Sequence, residues 1–214
     1  MKFVPTLHSP FSIQALNGSA TLKLELKKMI YIDDHIWDFD LRHALETISE
    51  WRRGYALRYR RELDQRLSVA AYKLLQRALL TEYGIHILPK FIYNGHGKPS
   101  LQGFPEIYFS LSHCSQAVVC AVSDLPVGID VETTDNYCDE VARQVMSHSE
   151  LRAINSSACP AVTFTRLWTM KESLYKLRGV PLACGVSRML EHTDGYRFTT
   201  LVHADCIITS CSMR

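Results

Sequence analysis

The run Val127-Gly128-Ile129-Asp130-Val131-Glu132 constrains this chain more than any other segment. Apolar residues at alternate positions read as a β-strand, whose successive side chains point to opposite faces. Val127, Ile129 and Val131 then anchor one face in a core, and Asp130 and Glu132 stand side by side on the other. Two carboxylates at that spacing repel and desolvate each other, so the fold must either neutralise them with a cation or leave them in water. An edge strand with an acidic solvent face and the floor of a metal site both satisfy this condition.

The rest of the chain fits around that strand. Ile107–Ser112 and Ala117–Val122 are two further β-rich runs, and Ser-Asp-Leu-Pro turns the second into the GIDVE strand. TLKLELKKMIYI (21–32) reads as one long strand or two short ones. Asp38 or Asp40 can cap a helix with apolar positions Leu41, Ala44, Leu45, Ile48 and Trp51 and a stop at Gly54. A second helix carries the stripe Leu67, Ala70, Ala71, Leu74, Leu75, Ala78 and Leu79 and ends near Gly84. After a turn in FIYNGHGKP come the strands, then helical patterns over 137–155 and 161–177. YRFTTLVHA and CIITSCS close the chain as a hairpin. Strand, helices and strands thus occur twice, which predicts two α+β lobes, 21–124 and 125–214, behind an N-terminal extension over 1–20.

Composition removes several alternatives. With 24 Lys+Arg against 22 Asp+Glu the chain is too balanced for a histone-like nucleic-acid binder, and no apolar run is long enough to span a membrane. Seven cysteines form no CxxC pair, so reduced thiols in a cytoplasmic protein are expected. The N-terminus, one Lys followed by proline-broken apolar residues, is unlike a signal peptide. One stretch departs from neutrality. Between Glu50 and Arg77, eight cations (Arg52, Arg53, Arg58, Arg60, Arg61, Arg66, Lys73, Arg77) meet only Glu50, Glu62 and Asp64. It reads either as a solvated helix face or as a docking surface for an anion or an acidic partner.

A second acid-bearing segment lies at 164–176. Phe164, Leu167, Trp168, Lys171 and Tyr175 share one helical stripe, and Glu172 and Lys176 stand at i, i+4 in the order that favours an ion pair. Asp130, Glu132 and Glu172 together supply the oxygen ligands that Mg²⁺ prefers, and Mg²⁺ commonly shares its shell with substrate phosphates. Lys98, Lys176 and the basic stretch are then phosphate partners, which points to phosphoryl chemistry. Ser112 and His113 are sequence neighbours and give no particular support to a serine-hydrolase arrangement.

Taken in order, GKP at 97–99, FSLSH at 109–113, GIDVE at 128–132, Ser147-x-x-Glu150 and WTMKESLYK at 168–176 resemble the 4′-phosphopantetheinyl transferase superfamily, in its Sfp-type branch. The resemblance covers about residues 28–210; Met146 stands where an aromatic is common. It implies an α+β pseudo-dimer of two similar lobes, each a small antiparallel sheet packed with helices, with coenzyme A in the cleft. It implies transfer of phosphopantetheine from CoA to a serine of an apo acyl or peptidyl carrier protein, with release of 3′,5′-ADP. Asp130, Glu132 and Glu172 would hold Mg²⁺ or Mn²⁺, and Lys176 would neutralise phosphate charge. Lys98 and Pro99 would line the adenine and ribose side, and Ser112 and His113 would approach the 3′-phosphate. Arg52 and Arg53 are the nearest basic candidates for that phosphate, and Lys171 is a further motif position. Glu150 is the expected base, with Glu172 its rival. A monomer with no nucleic-acid or membrane partner follows. The competing readings are a metal-dependent phosphodiesterase or nuclease, and a relative that binds CoA or carrier protein without turnover.

Overall fold

The computed structural model describes residues 27–180 and 185–214; the expected extension and the first residues of the 21–32 strand lie outside them. It is an α+β protein. Strand β1 (Lys28–Asp33) is followed by helices α1 (Leu41–Glu46), α2 (Glu50–Ala56) and α3 (Glu62–Tyr83). A short hairpin of β2 (Phe91–Tyr93) and β3 (Pro99–Leu101) leads into β4 (Tyr108–His113), β5 (Val118–Ser123) and β6 (Val127–Thr133). Helices α4 (Asp139–Val145), α5 (His148–Asn155) and α6 (Pro160–Arg178) precede the closing hairpin of β7 (Tyr196–His203) and β8 (Cys206–Met213).

Two antiparallel three-stranded sheets result, in the orders β1-β5-β4 and β6-β8-β7. Helix α3 packs on the first and α6 on the second. Strand β5 is buried along its whole length. Val118, Cys120 and Val122 join Leu67, Leu74, Leu75 and Leu79 of α3 in one core. Val119 and Ala121, on its other face, meet Val127, Ile129, Val131 and Ile208 of the second sheet in another. The apolar face of the GIDVE strand is therefore the surface on which the two sheets pack. The outer edges of β4 and β6 lie side by side without a backbone ladder. Ser110 Oγ accepts the Ile129 N–H at 3.0 Å, so side-chain oxygen replaces a ladder partner there.

Local chemistry corrects two sequence expectations. The helix expected to run to Gly54 is broken at Thr47. Asp40 caps α1 by accepting the His43 N–H, and Ser49 starts a new helix by accepting that of Arg52. Gly54 lies inside α2, and Trp51 is exposed. The helical pattern over 137–155 is also two helices, parted at the extended Met146. The α3 terminus matches its signal: Gly84 takes φ 65° and its N–H caps the helix.

Candidate functional site

Strand β6 and helix α6 come into contact because residue 128 has no side chain. A Cβ on Gly128 would stand 1.9 Å from the Ser173 carbonyl oxygen and 2.6 Å from the Leu177 nitrogen. This approach brings Asp130 and Glu132 on the strand to Glu172 and Lys176 on the helix. Lys176 Nζ donates to Asp130 Oδ1 at 2.6 Å and to Ser112 Oγ at 2.8 Å, and Ser112 donates to the same carboxylate oxygen at 2.8 Å. The expected i, i+4 pair of Glu172 with Lys176 is replaced by this longer-range one. A buried acid 46 residues away holds the ammonium more firmly than a neighbour on the helix surface can.

The three carboxylates act on one another. Burial pushes the Glu132 carboxyl up to about 7, and the Asp130 charge adds to this against Lys176. Burial and Asp130 likewise raise Glu172, with Lys176 again opposing. Oδ2 of Asp130 is buried with no hydrogen-bond partner among the described residues. Among the described residues, no three acidic, His or Cys groups already lie at metal-ligand spacing. Even so, a site with one unpartnered buried carboxylate oxygen, two proton-hungry carboxylates and a single lysine carries more negative charge than its own cations offset. A hard divalent cation fits such a donor set.

A second group of cations borders the site. His113 ends β4 at the surface. Desolvation and the Lys176 charge, with a smaller share from Arg52, hold its imidazole below the ordinary range, while Asp64 and Asp130 pull it up. Arg52 is 8% exposed and has no carboxylate partner among the described residues. Its Nη2 donates to the Ser68 carbonyl and hydroxyl at 2.8 Å, its plane lies over the Tyr55 ring, and its Nε has no partner. Arg53, one residue on, is exposed and points elsewhere on α2. The charge run hides this difference; helical phase distinguishes the two.

Lys98 docks on the end of α6. Its Nζ donates to the Leu177 carbonyl at 2.6 Å and its chain lies against Gly179, whose carbonyl accepts from Asn94 Nδ2 at 3.0 Å. Burial lowers its pKa. Asn94 also ties its own loop by accepting the His96 and Lys98 N–H groups. It was not singled out from the sequence, although Asn before a Gly-rich turn is its signal. Gly97, Lys98 and Pro99 line one cleft with Phe109, Tyr175 and Lys176.

Glu150 and Lys171 stand apart from this cluster and close on each other. Lys171 is fully buried and lies about 140° around α6 from Lys176. Its Nζ contacts Glu150 Oε2 at 2.9 Å and donates to the Val186 and Ser187 carbonyls. The same Glu150 oxygen accepts the Ser147 N–H, completing the capping box of α5. With its Oε2 engaged in this way, Glu150 has a positioning geometry. Lys171 likewise has no free donor to offer a phosphate. Ser112 is hydrogen-bonded to Asp130 and Lys176.

Comparison with known proteins adds independent information. The family model described as the 4′-phosphopantetheinyl transferase superfamily matches residues 126–203. The chain is 31% identical over 188 residues to 4′-phosphopantetheinyl transferase psf-1 of Bacillus pumilus, covering 82% of this chain and 80% of that one. It is 27% identical over 188 residues to 4′-phosphopantetheinyl transferase Sfp of Bacillus subtilis, with 84% and 83% covered. To 4′-phosphopantetheinyl transferase AcpT of Salmonella typhi it is 34% identical over 118 residues, with 52% and 57% covered.

Proposed function

Because this chain belongs to the 4′-phosphopantetheinyl transferase superfamily, in its Sfp-type branch, we propose that it transfers the 4′-phosphopantetheine group of coenzyme A to a serine of an apo carrier protein. The observation that supports this reading most is the unpartnered buried oxygen of Asp130 among Glu132, Glu172 and Lys176.

In the reaction the serine oxygen bonds to the phosphorus that carries pantetheine. The bond from that phosphorus to the bridging oxygen breaks, and 3′,5′-ADP leaves. Asp130, Glu132 and Glu172 would hold Mg²⁺ or Mn²⁺, which when bound offsets charge on the pyrophosphate. Lys176, already oriented by Asp130 and Ser112, would meet the charge that develops on the leaving oxygen. Lys98 and Pro99 would line the nucleoside side of the cleft. Arg52 and His113 would receive the 3′-phosphate, which gives the buried guanidinium the anionic partner it lacks. Glu172, which makes no hydrogen bond among the described residues, would take the serine proton with an oxygen that the metal does not use.

No helix among the described residues is long and apolar enough to cross a membrane. A cytoplasmic monomer, its two lobes meeting between Ser123 and Val127, fits this reading. The test is the intact mass of an apo carrier protein after incubation with the chain and CoA, in Mg²⁺ or in EDTA. A metal-dependent gain of one phosphopantetheine group is expected. CoA binding without any gain, over several carriers, would favour a non-catalytic relative.

A further inference from the structure

Cys114 and Cys206 bring two thiols together across the seam between the sheets. Cys114 follows β4 and opens the turn into β5, where its N–H meets the Ala117 carbonyl at 2.9 Å. Cys206 starts β8 in the other sheet. Their sulfurs, 92 residues apart in sequence, lie 3.5 Å apart. Both sit with Ala117, Val119 and Ile208 in the apolar layer. Two small hydrophobes would fill that place as well, so packing alone does not call for sulfur at both positions.

One side of Cys206 is polar. It lines a hollow of about 330 Å³ with Asp34, Trp37, Gln116 and His203, a volume in the range of small-molecule sites. Gln116 Oε1 accepts the Cys206 S–H at 3.8 Å. His203 and Cys206 are opposed residues of the β7–β8 hairpin, so their side chains stand on one face of the sheet. His203 Nε2 lies 2.9 Å from Asp34 Oδ2, and this bond holds the Asp34 carboxyl below its ordinary range. An ionised carboxylate only accepts, so Nε2 carries the proton and Nδ1 is left as the basic nitrogen. The hollow thus gathers a thiol and an imidazole oriented by a carboxylate, with a second thiol directly behind the first.

Burial first, then Cys114 and the carboxylates of Asp205 and Asp34, push the Cys206 thiol up to about 12. It therefore stays protonated and inert until a base takes its proton. The same two carboxylates disfavour an anionic reagent.

We propose that Cys206 and Cys114 form a reversible redox site that takes a small neutral or cationic disulfide in this hollow. The Cys206 thiol gives its proton to His203 Nδ1, and its sulfur bonds to one sulfur of the reagent. The reagent's S–S bond breaks, and its other half leaves as a thiol with the proton from His203. Cys114 then attacks the Cys206 sulfur and loses its own proton, and the second half leaves as a thiol. One disulfide is consumed, one is formed, and two thiols depart. The product ties the β4–β5 turn to β8 and so joins one sheet to the other. In a reducing compartment such a bond is transient and follows the redox balance. This site is independent of the transferase reading.

The test adds cystamine, a small cationic disulfide, to the full chain in its reduced form. Products are read by intact mass and by non-reducing peptide mapping. Loss of two hydrogens is expected, with the peptides of Cys114 and Cys206 joined. Tm should rise by about 5 °C or more, and dithiothreitol should reverse the rise. Cys114→Ala should stop halfway, with one cysteamine group on Cys206 and no rise in Tm. His203→Asn should slow linking by about 10-fold or more and leave the rate of adduct formation at the exposed Cys159 unchanged. Oxidised glutathione, an anion, should link the pair more slowly than cystamine. Adducts at Cys159 with Cys114 and Cys206 still unlinked overturn the proposal in the parent chain itself. So does linking through other cysteines, or a linking rate that His203→Asn does not change.

Discussion

Lys176 holds one oxygen of Asp130 at 2.6 Å, and the other oxygen of that carboxylate is buried with no partner among the described residues. Among the described residues the ammonium is thus the site's only internal counter-charge at hydrogen-bond range. Lys176→Ala should lower kcat for phosphopantetheine transfer by about 100-fold or more, the scale of losing one preorganised charge partner. In EDTA at pH 8 the variant should also melt below the parent, and added Mg²⁺ should recover more Tm than it does in the parent. Equal metal response in the two would remove Lys176 from the charge balance.

Glu132 gives a pH signature independent of turnover. Its folded pKa of about 7 lies above the ordinary 4.5, so between those values the folded chain binds more protons than the unfolded one. Stability from this group is therefore complete below about pH 4.5 and is lost as pH rises through 7. Glu132→Gln has no such loss. Without metal it should be more stable than the parent at pH 8, on the order of 1 kcal/mol once solvent screening is allowed for, and the gap should close near pH 5. His113, lowered below its ordinary value, loses stability as pH falls and is common to both proteins, so it cancels in the difference. A gap that does not change with pH would contradict the raised carboxyl.

Lys171 is fully buried and the Glu150 side chain 10% exposed, so breaking their pair leaves a charge in the interior. Lys171→Met should cost about 3–5 kcal/mol in urea denaturation. Adding Glu150→Met should recover only part of this, because the Val186 and Ser187 carbonyls still lack their donor. Full recovery would mean that those two bonds contribute nothing.

At Gly128 the conflict is with backbone atoms, which cannot swing aside. Gly128→Ala should cost about 3 kcal/mol or more and should weaken Mg²⁺ binding, read as a smaller metal-induced rise in Tm. A variant that keeps both would show that strand and helix separate freely.

Much of this was legible in the sequence, wherever the determining interaction is local or periodic. The alternation in Val127–Glu132 and the stripe of α3 needed only side-chain phase. The break at Thr47 was hidden because Leu41, Ala44, Leu45, Ile48 and Trp51 keep helical spacing straight through it; Ser49 capping Arg52 is the sole local mark. Glu172 and Lys176 looked paired because spacing on one helix is visible, whereas the approach of β6 is not. Glu150 is the instructive case. Ser147-x-x-Glu150 is both a family motif and a capping-box signature, and the structure shows the second with Lys171 added beneath it. Which of two adjacent arginines is buried likewise depends on Ser68, on another helix.

The serines of β4 have a consequence for how this polypeptide can be divided. Ser110 and Ser112 close the open side of β6, and β6 in turn covers β4. Severed between Ser123 and Val127, each fragment would bare a strand edge to water together with half of the apolar layer between the sheets. Such pieces are drawn to reassemble or to aggregate, so the reaction centre exists only while the two fragments shield each other.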